Sequence, residues 1–305
     1  MHKWKKLGLI FNPTNRFDWM VSHATTPVPI HLSGDVFRVF FSTRNHNNQN
    51  QTAYVDIDLT NPQNILKVSR RPAFELGQLG AFDCDGVYMT SIVEHEGKLF
   101  GYYGGWNAGK KGLFYSKIGL AVSHDKGESF QRISHAPILN IDQVDPLSTM
   151  APFVIYEKNI WKMWYASAIR FFYEKDKLKS EYTIKYAYSN NGFDWKKSNI
   201  ISLELGENDS NIARACIYKK KDLFVAWYPV VAKPSGQYRI GYAESDDGIR
   251  FVRKDNLAGI SKSSKEFDNK AITYPYVIQK MNKLLMFYNG NNFGEKGFGL
   301  AVSKI

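Results

Sequence analysis

One segment recurs through this chain and constrains what it can fold into. Residues 118–130 read IGLAVSHDKGESF, residues 184–195 IKYAYSNNGFDW, residues 240–251 IGYAESDDGIRF, and residues 298–303 FGLAVS. Each complete copy alternates apolar with small or polar residues, reaches a serine, turns on Asp or Asn and Gly, and resumes on an aromatic residue. That is a strand, a tight turn and the start of the next strand. Recurrence at a period of roughly 60 residues marks an array built from one supersecondary unit.

The flanks recur as well. Before each copy lies an aromatic-rich run: residues 37–42 (FRVFFS), 99–103 (LFGYY), 161–165 (WKMWY), 223–228 (LFVAWY) and 284–288 (LLMFY). Ahead of these lie further apolar runs at residues 27–32, 89–94, 151–156, 213–218 and 273–279, with polar turns such as Ser33-Gly34-Asp35 between. Residues 53–59 are the third run of the first and most divergent copy, and residues 130–139, 195–203 and 251–257 are fourth runs. The unit is a four-stranded antiparallel meander, and helical periodicity is scarce. The last copy stops at FGLAVSKI without a fourth strand. Residues 4–13, WKKLGLIFNP, look like WKKSNIISL at 195–203, so the N-terminus is expected to supply it. Pairing the two ends removes exposed sheet edges. The expected fold is all-β: a single five-bladed β-propeller domain over 1–305, with blades near 14–80, 81–140, 141–204, 205–260, and 261–305 plus 1–13.

Composition narrows the function. An apolar fraction of 44% supports a sizeable core, and 15% aromatic residues suit strands. No apolar run approaches the roughly 18 residues of a membrane span, and the apolar stretch behind MHKWKK is short for a signal peptide. Cys84 and Cys216 are far apart and offer neither a metal spacing nor a disulfide framework. A reducing, cytoplasmic setting without metal or cofactor is therefore expected. The formal charge of +11 is scattered, with short clusters at 175–179 and 219–221 and no nucleic-acid-reading motif. It reads as a solvated basic surface that suits anionic ligands rather than specific nucleic-acid readout.

Chemistry is expected where the strands enter the axis. The recurring turns resemble the Asp-box turns of propellers, so Asp125, Asp246 and Asp247 are assigned to turn backbone rather than catalysis. The segments leading into the inner strands contain His23, the pair Asp83 and Asp85, Asp145, Glu207 with Asp209 and Arg214, and Asp268 with Lys270 and Tyr274. Carboxylates converging on an axis are what glycosidic chemistry requires, one as acid and one as base or nucleophile.

Five units, segments such as YAYSNNGFDW and YAESDDGIRF, and acids at the inner strands resemble the glycoside hydrolase superfamily of families 32, 43, 68 and 130 over essentially the whole chain. The resemblance implies a sugar site on the axis. In those families an Asp in an Asp-Pro step of the first inner strand is base or nucleophile; here that step is Thr26-Pro27, preceded by His23, with Asp18 nearby. The catalytic candidates are then Asp85 first, with Asp145, Glu207 and Asp268. His23, Arg44, Asp83, Trp106, Arg170, Asp209, Arg214, Lys270 and Tyr274 are candidates for holding substrate, while Trp164 and Trp227 are expected mostly in the core. Three readings follow. The first is a glycosidase-type enzyme acting on a glycan or activated sugar in polysaccharide metabolism. The second is a phosphorylase or glycosyl-transfer enzyme whose anionic donor sits on His23, Arg44, Arg214 and Lys270. The third is a carbohydrate-binding propeller without catalysis. The partner in each is a sugar or oligosaccharide, with anionic and phosphorylated forms included.

Overall fold

The computed structural model describes residues 3–109, 114–233 and 235–305, and strands dominate it. Among these residues helix is confined to a 3-10 turn at Asp255–Leu257 and a four-residue turn at Asn291–Gly294. After β1 (Lys5–Phe11), a first meander comprises β2 (Ser22–Ser33), β3 (Val36–Arg44), β4 (Asn50–Asp58) and β5 (Ile65–Val68). A second comprises β6 (Gly86–His95), β7 (Lys98–Ala108), β8 (Phe114–Ser123) and β9 (Gln131–Arg132). A third comprises β10 (Thr149–Glu157), β11 (Ile160–Glu174), β12 (Lys177–Ser189) and β13 (Lys196–Leu203). The next holds β14 (Asp209–Ile212), β15 (Cys216–Lys220), β16 (Leu223–Ala232), β17 (Tyr238–Ser245) and β18 (Val252–Arg253). The chain ends with β19 (Thr273–Lys280), β20 (Lys283–Asn289) and β21 (Phe298–Lys304). β1 pairs antiparallel with β21, Lys5 opposite Val302 and Lys6 opposite Ala301, so the N-terminal strand completes the C-terminal sheet.

Two details depart from the sequence expectation. β9 and β18 are two-residue strands where longer runs were expected. At the latter the Asp255 carboxylate accepts the Tyr242 amide at 3.1 Å, so a side chain takes over from the ladder as the chain turns. β14 was not anticipated; it pairs with β16 and touches β12 through a single parallel pair, Asn211 opposite Tyr182.

The recurring turns hold neighbouring meanders together. In the first, Ser123 Oγ accepts the Gly127 amide at 2.8 Å and donates to Asp125 at 2.7 Å. Ser189 with Asn191 and Ser245 with Asp247 repeat this arrangement. The glycines at 127, 192 and 248 have φ of 81°, 80° and 72°, the left-handed region that a Cβ disfavours. Each turn docks on the preceding meander's second strand: Gly127 against Phe40, the Gly192 carbonyl on the Tyr102 hydroxyl (3.1 Å), the Gly248 carbonyl on the Trp164 indole N–H (2.9 Å). Trp227 occupies the matching place in β16, and Trp4, just before β1, meets it edge-on at 5.7 Å. Trp164 and Trp227 are fully buried, as expected of core residues.

A second device braces the entries of the last four meanders from behind. Asp83 accepts from Tyr103 Oη at 3.1 Å and from Arg132 at 2.8 Å. Asp145 accepts from Tyr165 Oη at 2.8 Å and pairs with Lys197 and Lys185, both at 2.9 Å. Asp209 pairs with Arg253 at 2.6 Å. Asp268 accepts from Tyr288 Oη at 3.2 Å and pairs with Lys6. The cations stand two residues after an aromatic at the start of each fourth strand: Phe130-Gln-Arg132, Trp195-Lys-Lys197, Phe251-Val-Arg253 and Trp4-Lys-Lys6. Lys6 thus does for the last sheet what Arg132 does for the second. Burial pushes the Asp145 carboxyl upward, but the Ser167 hydroxyl and the two lysines outweigh it and hold it below the usual range.

The inner strands β2, β6, β10 and β19 each carry a register shift near the same place. In three of them the shift falls on a residue before proline, with Thr26, Ala151 and Tyr274 at φ of 54°, 49° and 48°. Left-handed backbone is disfavoured for such residues, so the packing must over-determine it. The irregularities turn carbonyls out of the ladder, and a buried carbonyl needs a donor. Arg214, 0% exposed between β14 and β15, supplies them: it donates to the carbonyls of Pro27 (3.2 Å), Thr90 (3.4 Å), Tyr274 (2.6 Å) and Pro275 (2.9 Å). Burial lowers its pKa to about 10, which leaves it charged at neutral pH.

Candidate functional site

At the end where inner strands begin, second strands end opposite the starts of third strands. The pairs there are Arg44 with Asn50, Trp106 with Ser116, Ala168 with Tyr182, and Val231 with Tyr238. These are equivalent positions of successive meanders, so their side chains stand at one level. Tyr88 of β6 and Tyr274 of β19 join them. The Tyr182 and Tyr238 hydroxyls are 3.1 Å apart, the Tyr88 hydroxyl is 3.2 Å from Ser116 Oγ, and the Tyr238 and Tyr274 rings lie 6.0 Å apart. All four phenols are half-buried, and each comes from a different meander.

Burial raises all four phenol pKa values, that of Tyr88 to about 12, with the Ser116 hydrogen bond pulling the other way. At neutral pH they are uncharged hydroxyls on aromatic plates, able to donate, to accept and to stack. Arg44 supplies the charge. Its guanidinium donates to Asn48 Oδ1 at 2.8 Å, and among the described residues no carboxylate lies within 4 Å of it. Burial lowers its pKa, opposed by Tyr274 and Glu295. His23 stands beside it at φ 64°, its amide bonded to the Glu295 carbonyl at 3.1 Å. Burial and then the Arg44 charge bring its pKa down to about 4, against Glu295 and the Asn292 backbone. The imidazole is therefore neutral at neutral pH.

The residues singled out from sequence divide into two groups. His23, Arg44, Asp85, Trp106 and Tyr274 are half-buried at this end of the strands. The Trp106 indole donates to Asn50, and the Asp85 carboxylate accepts the Ala108 amide at 2.7 Å. Asp83, Asp145, Asp209, Asp268 and Arg214 are 0–5% exposed and bonded as described, so none presents a face to a ligand. The carboxylates are not brought together: no bonding partner of one is shared by another. Arg170 is exposed and forms a bidentate pair with Glu181 at 2.6 and 2.9 Å, joined by Lys233 at 3.1 Å. Glu207 and Lys270 are exposed loop residues, the latter bonded through its amide to Asn291 at 2.8 Å. Sequence reasoning missed Tyr88, Tyr182, Tyr238 and Glu295. A signal existed for two of them: aligning the third strands puts Asn50, Ser116, Tyr182, Tyr238 and Lys296 in one column.

No family model matches the chain. A relative at full length is the uncharacterized protein MT1551 of Mycobacterium tuberculosis (strain CDC 1551 / Oshkosh), 34% identical over 300 residues, 98% of each chain. Among solved structures, one named as a glycoside hydrolase superposes with a TM-score of 0.78 at 19% identity, over 98% of this chain and 91% of the other. Another, named as a complex of BT0996 and RGII, gives 0.77 at 19% identity, over 98% and 91%. The chain belongs to the family of its mycobacterial relative, and its fold is that of the propeller glycoside hydrolases.

Proposed function

We propose that the meanders are the blades of a five-bladed propeller closed by β1, and that the tyrosine cluster at its axial mouth binds a sugar. One observation carries this: four neutral phenols from four meanders converge beside Arg44, while Asp83, Asp145, Asp209 and Asp268 are sealed into braces. Sugar hydroxyls are matched by groups that both donate and accept, and pyranose faces by aromatic plates. Solved structures of the same fold are named as a glycoside hydrolase and as an RGII complex, which supports a sugar as the ligand. Carbohydrate recognition, in a cytoplasmic protein of one domain, is thus the reading we favour over hydrolysis by a pair of entry carboxylates. A specific observation favours a second reading, phosphorolysis or transfer with an anionic donor: Arg44 reaches the mouth without a carboxylate partner, as a phosphate-binding arginine would.

The test is calorimetric titration with neutral mono- and oligosaccharides, sugar phosphates and inorganic phosphate, with turnover followed in the same mixtures. Replacing Tyr182 and Tyr238 by Phe removes two hydroxyls and should weaken sugar binding about 10-fold, at roughly 0.5–1.5 kcal/mol per hydrogen bond. Unchanged binding in that double variant would overturn the mouth as the site. Phosphate-dependent turnover lost on Arg44→Gln would select the second reading, and hydrolysis lost on Asp85→Asn would restore the first expectation.

A further inference from the structure

The first meander has no brace at its entry. Phe41 stands where Tyr103, Tyr165, Tyr228 and Tyr288 stand in the others, and Asp18 is exposed. The entry instead folds into a small hairpin, with Met20 donating to the Phe17 carbonyl at 2.8 Å and Arg16 to the Met20 carbonyl at 3.1 Å. At its tip the Phe17 and Trp19 rings stack, 5.9 Å between centroids and 2° from parallel. Phe17 is 37% exposed. The Trp19 indole N–H donates to the Arg70 carbonyl at 3.3 Å, which fixes the ring pair beside a groove of about 460 Å3. Lys67, Arg70 and Arg71 line that groove, with Glu128 as its acid. The root of the hairpin is tied to the mouth: the Val21 amide donates to the Arg44 carbonyl at 2.9 Å.

We propose that this hairpin and groove form a second, rim subsite for an acidic sugar unit of a glycan whose other end occupies the mouth. The inference rests on the sugar-binding reading of the mouth. The Phe17–Trp19 pair offers a rigid flat face on which a pyranose ring stacks. Arg70 and Arg71 offer planar donors for the negative group, and a carboxylate or a phosphate ester satisfies them alike. Four braced entries keep their loops on the scaffold; the unbraced one is free to carry a binding surface.

Oligogalacturonides of one to six units, cello-oligosaccharides of the same lengths and glucose 6-phosphate are titrated into the full chain. Affinity for the oligogalacturonides should rise at least 10-fold from monomer to hexamer, with a smaller rise in the neutral series. Phe17→Ala and the double variant Arg70→Ser, Arg71→Ser, both at exposed positions, should flatten that rise and leave monomer binding unchanged. Glucose 6-phosphate weakened more than 3-fold by the arginine variant identifies phosphate as the favoured acid; no change assigns the preference to carboxylate. A length dependence that survives in both variants overturns the rim subsite while the mouth stands. Long chains that lose affinity only in the rim variants, and not in the Tyr182, Tyr238 double variant, overturn the mouth and leave the rim. No binding of any probe overturns both.

Discussion

The second meander and the first differ at matched positions, and the difference says what the acids are for. In the second, Asp83 is buried behind the entry of β6 and held by Tyr103 and Arg132. In the first, Phe41 removes the phenol, no cation of β5 reaches the entry, and Asp18 lies at the surface. At the second, third and last entries carboxylate, tyrosine and cation occur together. At the fourth the tyrosine, Tyr228, bonds Asp255, which shares Arg253 with Asp209. The first entry lacks all three, as expected of one structural unit. A buried charge requires partners, and the first meander's own buried charges, Arg38 of β3 and Asp56 of β4, pair with each other at 2.8 Å rather than at the entry.

The largest effect is expected from deleting residues 1–11, which removes both β1 and the Lys6 brace. That should cost upwards of about 4 kcal/mol, because an edge is exposed and Asp268 is left buried without its cation. A truncated chain that melts like the parent would rule out β1 as part of the last sheet. Next, Asp145→Ala should cost about 3–5 kcal/mol by leaving buried Lys185 without a carboxylate and Lys197 with Asp142 alone, against less than about 0.5 kcal/mol for Asp18→Ala. Equal urea midpoints for the two variants would dissolve the distinction between braced and unbraced entries.

Opposite changes should share a sign. Tyr165→Phe removes a donor from Asp145, and Phe41→Tyr buries a hydroxyl with no carboxylate to receive it; each should destabilise by about 1–2 kcal/mol. If Phe41→Tyr stabilises, an acceptor exists in the first meander and the comparison needs redrawing. The smallest effect is one of pH. The folded pKa of His23, about 4, lies below its unfolded value near 6.5, so the unfolded chain binds more protons in that interval. Its contribution is complete above about pH 6.5 and lost as pH falls toward 4. Partial exposure of the ring keeps it to about 1 kcal/mol. His23→Gln should flatten the slope of stability against pH between those values; an unaltered slope would show that another group titrates there.

The repeats were legible because strand alternation and Gly turns are local. WKKLGLIF could be matched to WKKSNIISL because both obey the same aromatic–cation spacing, although that spacing had no meaning until Lys6 and Lys197 were seen beside Asp268 and Asp145. The acids are ambiguous in the sequence for a physical reason: a carboxylate poised for chemistry and one buried in a brace have the same one-letter code and the same place before a strand. Only the partner, contributed by the far edge of the sheet, separates them. The tyrosines escaped notice because each is unexceptional in its own strand and becomes a cluster only when four meanders share an end.

Arg214 has a consequence for how the molecule comes apart. In an open array of repeats, stability accumulates unit by unit and the ends fray independently. Here one side chain satisfies carbonyls from the first, second and last meanders at once. Withdrawing any of these strands leaves part of that shared bonding unmet, so partial unfolding forfeits more than its own contacts. The amides of β2, β6 and β19 should therefore exchange with solvent as one group, at the rate set by global opening, and a chain missing any one meander should have no stable intermediate form to rest in.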